Sequence, residues 1–355
     1  MTARNLTRAA KPFGNLPSGE VVEMHTLASA SGVEVKFLNL GGIITSLATP
    51  DRNGDIADIT PGYDSLAGYL GDPRYFGALI GRYANRIANA RFELDGAGYQ
   101  LPANLGRHQL HGGPRALNTV CWAVAPFTAN GSIGAELSHV SPNGSSGFPG
   151  ELRLRARYTL TEAGELVFDY EATTDAPTPV NLTQHAYFNL AGHASGDILD
   201  HDLRITAAHY LPVDDELIPT GEIAPVEGTR FDFRVERPVR ASASLFPLQS
   251  SGAYDHCFVL DGEPGALRPA ARLHHAPSGR TLEIETTEPG IQLYTGEHLA
   301  GGPVGKDGAI YTAHTSLALE TQHFPNSPNE PRFPSTILRP DKIFQSRTVY
   351  RFGVA

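Results

Sequence analysis

Cysteine is scarce in this sequence: Cys121 and Cys257 are the only two among 355 residues. Two cysteines exclude a framework of several disulfides and a zinc cluster built from cysteine. The count fits a reducing compartment, in which both side chains stay as buried free thiols. We therefore expect a cytoplasmic protein.

Basic charge is also in short supply, with 28 Lys and Arg against 38 Asp and Glu and a formal net charge of -10. A surface that binds nucleic acid or an anionic membrane would carry a basic patch. The sequence has no run of about 18 apolar residues, the length that spans a bilayer, and no apolar run follows the N-terminal charges. We expect neither a nucleic-acid nor a membrane partner, and a neutral or cationic small ligand fits this charge better.

Several site motifs are missing. Residues 301–307 are rich in glycine, but they have neither the spacing nor the Ser/Thr of a phosphate-binding P-loop. No Gly-x-Gly-x-x-Gly turn lies between a strand and a helix, and no Gly-x-Ser-x-Gly elbow is present. These absences disfavour nucleotide hydrolysis and serine hydrolysis.

Glycine and proline, by contrast, are abundant: Gly 37 and Pro 27 make up about 18% of the chain, above the roughly 12% of average usage. Such a composition favours many turns and few long helices. Asn53-Gly54 is typical of a tight hairpin turn, and residues 151–170 alternate apolar and polar side chains around a second turn. We expect an all-β fold with few short helices, in a single domain spanning residues 1–355.

Residues 179–190 give the clearest functional pattern. With the two-residue period of a strand, one face carries apolar side chains except for Gln184, and the other carries polar ones. His185 is central on the polar face, which also carries Asn181, Thr183, Tyr187 and Asn189. This stretch alone favours neither of two interpretations, a solvent-facing strand or the wall of a polar pocket.

Other candidate residues are scattered along the chain: Asn85, Arg86, His111, Asp255, Gln292 and Glu320. Each also has an ordinary structural interpretation, as a surface arginine, a loop histidine, a turn cap or a solvent-facing glutamate. Together their types suit a neutral polyol, because amides, carboxylates and guanidinium groups all bind hydroxyls. His111, His185 and Glu320 have the right chemistry for a metal, but none are at a short chelating spacing, so we expect no metal.

Six segments together resemble the aldose 1-epimerases, or galactose mutarotases, over nearly the whole chain. They are Gly-Arg-Tyr-Ala-Asn-Arg-Ile at 81–87, Leu-His-Gly-Gly at 110–113, Pro-Val-Asn-Leu-Thr-Gln-His-Ala-Tyr-Phe-Asn-Leu at 179–190, Tyr-Asp-His at 254–256, Gly-Ile-Gln-Leu-Tyr-Thr-Gly at 290–296 and Leu-Glu-Thr-Gln at 319–322. The resemblance implies a large antiparallel β-sandwich, the galactose mutarotase-like supersandwich, with the sugar in an open cleft. It also implies interconversion of the α- and β-anomers of free aldohexoses such as D-galactose and D-glucose.

The resemblance further implies roles for individual residues. Glu320 would be the general base that takes the proton of the anomeric hydroxyl, and His185 the general acid that protonates the ring oxygen. Substrate binding would fall to Asn85, Arg86, His111, Tyr187, Asp255 and Gln292. No cofactor is needed, and we expect a monomer or a homodimer.

At neutral pH this division of roles requires a protonated His185 beside an ionised Glu320, and we expect Asp255 to raise the pKa of the histidine. Two other functions stay open. A hexose-6-phosphate 1-epimerase would need extra cationic groups for the phosphate, for which Arg82 and Arg86 are the only candidates. A non-catalytic sugar-binding module would need no paired acid and base.

Overall fold

The computed structural model describes residues 6–72, 74–242 and 253–355. Within them it has twenty-eight strands, one α-helix and six short 3₁₀ helices. The strands, in chain order, are β1 (Thr7–Asn15), β2 (Val21–Ala28), β3 (Glu34–Leu38), β4 (Ile44–Pro50), β5 (Ile56–Asp58), β6 (Ala78–Ile80), β7 (Arg86–Ile87), β8 (Arg91–Leu94), β9 (Ala97–Gln100), β10 (Gln109–Leu110), β11 (Ala123–Ala129), β12 (Ser132–Ser141), β13 (Leu152–Thr161), β14 (Glu165–Thr174), β15 (Thr178–Pro179), β16 (Thr183–His185), β17 (Tyr187–Phe188), β18 (Asp202–Ile205), β19 (His209–Tyr210), β20 (Ala224–Pro225), β21 (Arg237–Pro238), β22 (Asp255–Val259), β23 (Arg268–His274), β24 (Arg280–Thr286), β25 (Gly290–Tyr294), β26 (Leu317–Gln322), β27 (Ile337–Leu338) and β28 (Phe344–Val354). The helices are α1 (Leu66–Gly71) and the 3₁₀ turns Ala88–Ala90, Leu117–Thr119, Ser145–Gly147, Val239–Ser242, Lys306–Gly308 and Ser327–Asn329.

Two large antiparallel sheets carry most of the architecture. One has nine strands in the order β11-β12-β13-β14-β28-β24-β23-β18-β21, and the other has six in the order β17-β26-β25-β22-β19-β20. A five-stranded meander, β1 to β5, lies at the N-terminal end. The predicted antiparallel β-sandwich with few short helices is confirmed.

The main core lies between the two large sheets. Alternate residues of β13 and β14 are buried, as the sequence period predicts, and they share one hydrophobic cluster with Leu317 and Leu319 of β26. The same face of β26 carries Thr321, whose hydroxyl lies 2.6 Å from that of Thr348 on β28. Because Leu317, Leu319 and Thr321 face the opposing sheet, Glu320 must point to the other side, away from this core.

Both predicted hairpins form. Thr49 pairs with Ala57 across the turn that contains Asn53 and Gly54, and Gly54 has a φ of +86°, a backbone conformation that favours glycine. Leu160 pairs with Leu166 across the second turn. The sequence pattern therefore placed these turns correctly.

The 179–190 stretch is broken into β15, β16 and β17, and residues 180–190 are all buried. The solvent-facing interpretation is therefore wrong. The Asn181 amide donates to the backbone oxygens of Ala84 and His323. The Asn189 amide donates to those of Gly196 and Thr315. These two asparagines hold the stretch in place, and His185 lies between them.

Across the described ranges, no helix combines the length and the apolar composition needed to cross a bilayer.

Candidate active site

Three neighbouring strands of the six-stranded sheet present polar side chains on one face. Glu320 on β26 is paired with Gln292 on β25, which is paired in turn with Cys257 on β22. Asp255 on β22 is paired with Tyr294, two residues from Gln292. Directly opposite residues in an antiparallel sheet share a face, so Glu320, Gln292 and Asp255 meet although they are far apart in sequence.

His185 faces Glu320 from the adjoining strand. Its Nε2 lies 3.5 Å from Glu320 Oε1, and the two residues are only 3% and 2% exposed. The two residues predicted as acid and base are therefore in direct contact. A single proton can be exchanged between an imidazole nitrogen and a carboxylate oxygen in this arrangement.

A buried ion pair lies beside these two residues. Arg86 Nη2 donates to Asp255 Oδ2 at 3.1 Å, and Gln292 Nε2 donates to Asp255 Oδ1 at 2.6 Å. Burial alone would raise the pKa of Asp255, but the Arg86 charge and the Gln292 hydrogen bond lower it. Asn85 completes the group, since its side-chain oxygen accepts from the backbone N–H of Arg86 at 2.9 Å.

His111 lies next to His185, with the two ring centroids 5.1 Å apart. The backbone N–H of Asn85 donates to His111 Nδ1 at 3.1 Å. Neutral His111 therefore carries its proton on Nε2, where it can donate to a hydroxyl. The next residue must be glycine, because Gly112 has a φ of +83° and a Cβ there would lie 2.1 Å from the carbonyl oxygen of Gly81.

The same tautomer bears on metal binding. His111, His185 and Glu320 have ligand atoms within 4.8 Å of one another, close enough for one ion. A metal at His111 Nε2 would have to displace its proton, and Nδ1 already accepts a hydrogen bond. The three residues therefore fit hydroxyl binding and proton transfer better than a metal, and the absence of a metal stays a prediction.

Burial dominates the electrostatics of the acid and base. It lowers the pKa of His185 to about 4, with Asp255 acting in the opposite direction. It raises the pKa of Glu320 well above the ordinary value, Asp255 adding to this effect and Arg86 opposing it. Asp255 does raise the pKa of His185, as predicted, but desolvation outweighs this effect. The expectation of a protonated His185 beside an ionised Glu320 is therefore wrong for the pair as it stands in the structure.

Comparison with known proteins bears on this constellation. The sequence profile of one family, aldose 1-epimerase, matches residues 23–351. The chain belongs to the aldose 1-epimerase family. The chain is 46% identical over 352 residues to the galactose mutarotase of Homo sapiens, and the alignment covers 99% of each protein. It is 36% identical to the aldose 1-epimerase of Escherichia coli (strain K12), and that alignment covers 95% of this chain and 96% of the relative.

Solved structures agree with this membership. The galactose 1-epimerase from Lactobacillus acidophilus NCFM superposes with a TM-score of 0.86 at 25% identity, covering 99% of this chain and 100% of that one. The GalM/aldose epimerase homologue from C. elegans gives 0.85 at 32% identity, covering 92% and 98%. The resemblance drawn from the six sequence segments is thus confirmed at the level of family and fold.

In this member of the aldose 1-epimerase family, Tyr187 supports His185. Its ring stacks on His185 with centroids 4.9 Å apart, and its hydroxyl donates to the backbone oxygen of Arg74 at 3.1 Å. The hydroxyl proton is therefore already used in a hydrogen bond within the protein. A sugar contact by Tyr187, predicted from the sequence, would have to use the ring or the remaining lone pair.

Arg82, the first arginine of the 81–87 segment, points away from the site. Its guanidinium donates to the backbone oxygens of Ser141, Pro142, Pro149 and Gly150, and the residue is 2% exposed. These hydrogen bonds stabilise the loop between β12 and β13. Arg82 therefore offers nothing to a sugar phosphate.

Tyr75 is a site residue that the sequence analysis missed. Its ring lies edge-on to His111, with centroids 4.7 Å apart, and nearly parallel to His185 at 6.1 Å. Its φ of 58° is unusual for a residue with a side chain. Tyr75 also lines a cavity of about 340 Å³, so it forms a wall of the site. No sequence pattern marked Tyr75, because its contacts with His111 and His185 form only in the folded chain.

Proposed function

We propose that this chain interconverts the α- and β-anomers of free aldohexoses, D-galactose and D-glucose among them, by general acid/base ring opening and reclosure. The observation that carries the proposal is the contact of His185 with Glu320 at 3.5 Å, beside the hydroxyl-binding groups of Arg86, Asp255 and Gln292. The reaction moves protons and leaves the oxidation state of the sugar unchanged. An acid and a base therefore suffice for it.

The reaction needs one proton to be shared between His185 and Glu320, so that one residue can act as the acid and the other as the base. Before the sugar binds, burial favours neutral His185 and protonated Glu320. Transfer of that proton across the pair gives imidazolium and carboxylate with no change in total charge. Glu320 then takes the proton of the anomeric hydroxyl while His185 gives one to the ring oxygen, and the bond between C1 and the ring oxygen breaks.

The open aldehyde rotates about its C1–C2 bond, and closure reverses the two transfers. Glu320 returns its proton to the carbonyl oxygen as the former ring hydroxyl attacks C1, and His185 takes the proton from that hydroxyl. Each residue ends as it began. The proposed cycle consumes no cofactor.

Substrate binding is proposed for the polar groups around this pair. Asp255 and Gln292 present oxygens on the sheet face, Arg86 and His111 present N–H donors, and Asn85 orients both of these residues. Because the whole set comes from one chain, a monomer would be competent. A monomer or homodimer in the cytoplasm therefore remains our proposal.

A hexose 6-phosphate is a poorer substrate in this account. Arg82 is turned to backbone carbonyls and Arg86 is paired with Asp255, so neither arginine suggested by the sequence offers a free guanidinium to a phosphate. A purely sugar-binding protein is likewise disfavoured, because it has no use for a buried His185–Glu320 contact that burial makes costly.

Polarimetry on freshly dissolved α-D-galactose and α-D-glucose tests the proposal. The protein should accelerate both relaxations far above the buffer rate. On glucose 6-phosphate, kcat/KM should be at least about tenfold lower, because the charge-assisted hydrogen bonds that would hold the phosphate are missing. Faster turnover of the phosphorylated sugar would favour the rival epimerase, and no acceleration of any sugar would favour a binding module.

A further inference from the structure

A second pair of buried polar side chains lies next to His185 and Glu320. Tyr187 pairs with Ala318 and Phe188 with Leu317 in antiparallel register. Continued along both chains in steps of two, this register sets His185 opposite Glu320, as their 3.5 Å contact requires. The following step sets Thr183 opposite Gln322.

Thr183 and Gln322 share the faces of the acid and the base. Residues two apart in a strand point to the same side, so Thr183 is on the side of His185 and Gln322 on the side of Glu320. Gln322 is paired with Gly290 on β25, as Glu320 is paired with Gln292 two residues further along the same strand. The pair therefore lies directly next to the proposed proton-transfer groups.

The polar atoms of this pair are not satisfied by the protein. Both residues are 0% exposed. Among the residues that the structure describes, Thr183 Oγ1 and both amide atoms of Gln322 have no hydrogen-bond partner, and neither does Glu320 Oε2. Buried groups of this kind are almost always bonded, since leaving one unbonded is costly. If Gln322 served only for packing, an apolar side chain of the same shape could fill its place without leaving polar atoms unbonded.

We propose that Gln322 is a positioning residue for the proposed epimerase reaction, which, with Thr183, hydrogen-bonds Glu320 Oε2 through one bound water and so holds the carboxylate ready for proton transfer. The inference rests on the proposed function. A hydrogen bond donated to a carboxylate favours its ionised form, and a water held by the Gln322 amide can donate one. Gln322 thus counteracts, in part, the desolvation that disfavours ionised Glu320.

Gln322→Met tests the proposal, because it keeps the length of the side chain and removes the donor. The variant should lose about tenfold or more in kcat with little change in KM, since a hydrogen bond to a charged group is lost. The kcat/KM profile should also move to higher pH, because ionised Glu320 becomes less favourable. Thr183→Val should move both quantities in the same direction, and it serves as the second variant if Gln322→Met does not fold.

Gln184→Met is the matched control. Gln184 is also a buried glutamine of this stretch, but its Nε2 donates to Tyr158 OH at 3.1 Å on the opposite face of β16. This variant should lower the melting temperature and leave the pH profile in place.

Unchanged kcat and an unchanged pH profile in a folded Gln322→Met or Thr183→Val variant would overturn the inference. So would a rise in KM alone, which would make Gln322 a substrate contact. Loss of the inference would leave the proposed function intact as long as the wild-type protein accelerates mutarotation. A wild-type protein without that activity would instead refute the proposed function itself.

Discussion

In the proposed mechanism, proton transfer depends on the electrostatics of a few buried side chains. His185 and Glu320 are each driven toward the neutral form by desolvation, and Asp255 raises the pKa of both. Arg86 offsets Asp255 by lowering the pKa of Glu320. Asp255 therefore acts on this pair as a fixed negative charge, in addition to its proposed role in substrate binding.

Asp255→Asn is expected to move the kcat/KM profile to lower pH, because removing a negative charge lowers the pKa of both His185 and Glu320. The variant should also raise KM and lose about 3 kcal/mol of stability, since Arg86 is left buried without its partner. Polarimetry across pH and urea unfolding measure the two effects. Gln292→Leu removes a hydrogen bond without changing charge, so it should raise KM and keep the profile. A profile of Asp255→Asn that stays in place or moves upward would contradict this electrostatic role.

At the level of strands, the sequence was most informative where one face is polar and the other apolar. The period of two in residues 179–190 correctly put Val180, Leu182, Phe188 and Leu190 in the core. It could not show that the stretch is buried on both sides. Burial of the polar face depends on β6 and β26, which come from distant parts of the chain.

The two-residue period of the strands could not predict the contact between His185 and Glu320, for the same reason. Glu320 lies on a strand whose neighbours are β25 and β17, and it comes 135 positions after the histidine along the chain. Local patterns give faces and turns, whereas strand order in a sheet depends on the whole core. The partners came from family resemblance, and the register shows how they meet.

Conformation and solvation were the parts least accessible to sequence. Tyr75 contacts His111 and His185 from a backbone conformation with a positive φ, which the sequence pattern does not indicate. The pKa of His185 was predicted in the wrong direction, because the extent of its burial depends on the complete fold. The sequence identified His185 as a candidate residue, but it did not indicate that the imidazole is neutral.

For the whole molecule, buried histidines should set the acid limit of stability. Burial lowers the pKa of His201 to about 3 and that of His185 and His256 to about 4. A histidine with a lowered folded pKa contributes stability that is present above about pH 6.5 and is lost as the pH falls toward the folded value. Glu320 and His323, whose pKa values are raised, act in the opposite direction, but they are fewer.

The free energy of unfolding in urea should therefore be lower at pH 5 than at pH 7.5, with each of the three histidines contributing on the order of 1 to 2 kcal/mol. Replacing His201 by Asn should reduce this pH dependence by about one histidine's share. Equal or greater stability at pH 5 would contradict the assignment of neutral buried imidazoles.

The most direct test of the central claim is the polarimetric rate of α-D-galactose mutarotation at pH 7 by Glu320→Gln and His185→Asn, each checked for native circular dichroism. Loss of the acid or the base should lower kcat by about 10²- to 10⁴-fold, the usual contribution of such a group. A folded variant of either residue that retains a rate within a few-fold of the wild-type protein would contradict acid/base catalysis by His185 and Glu320.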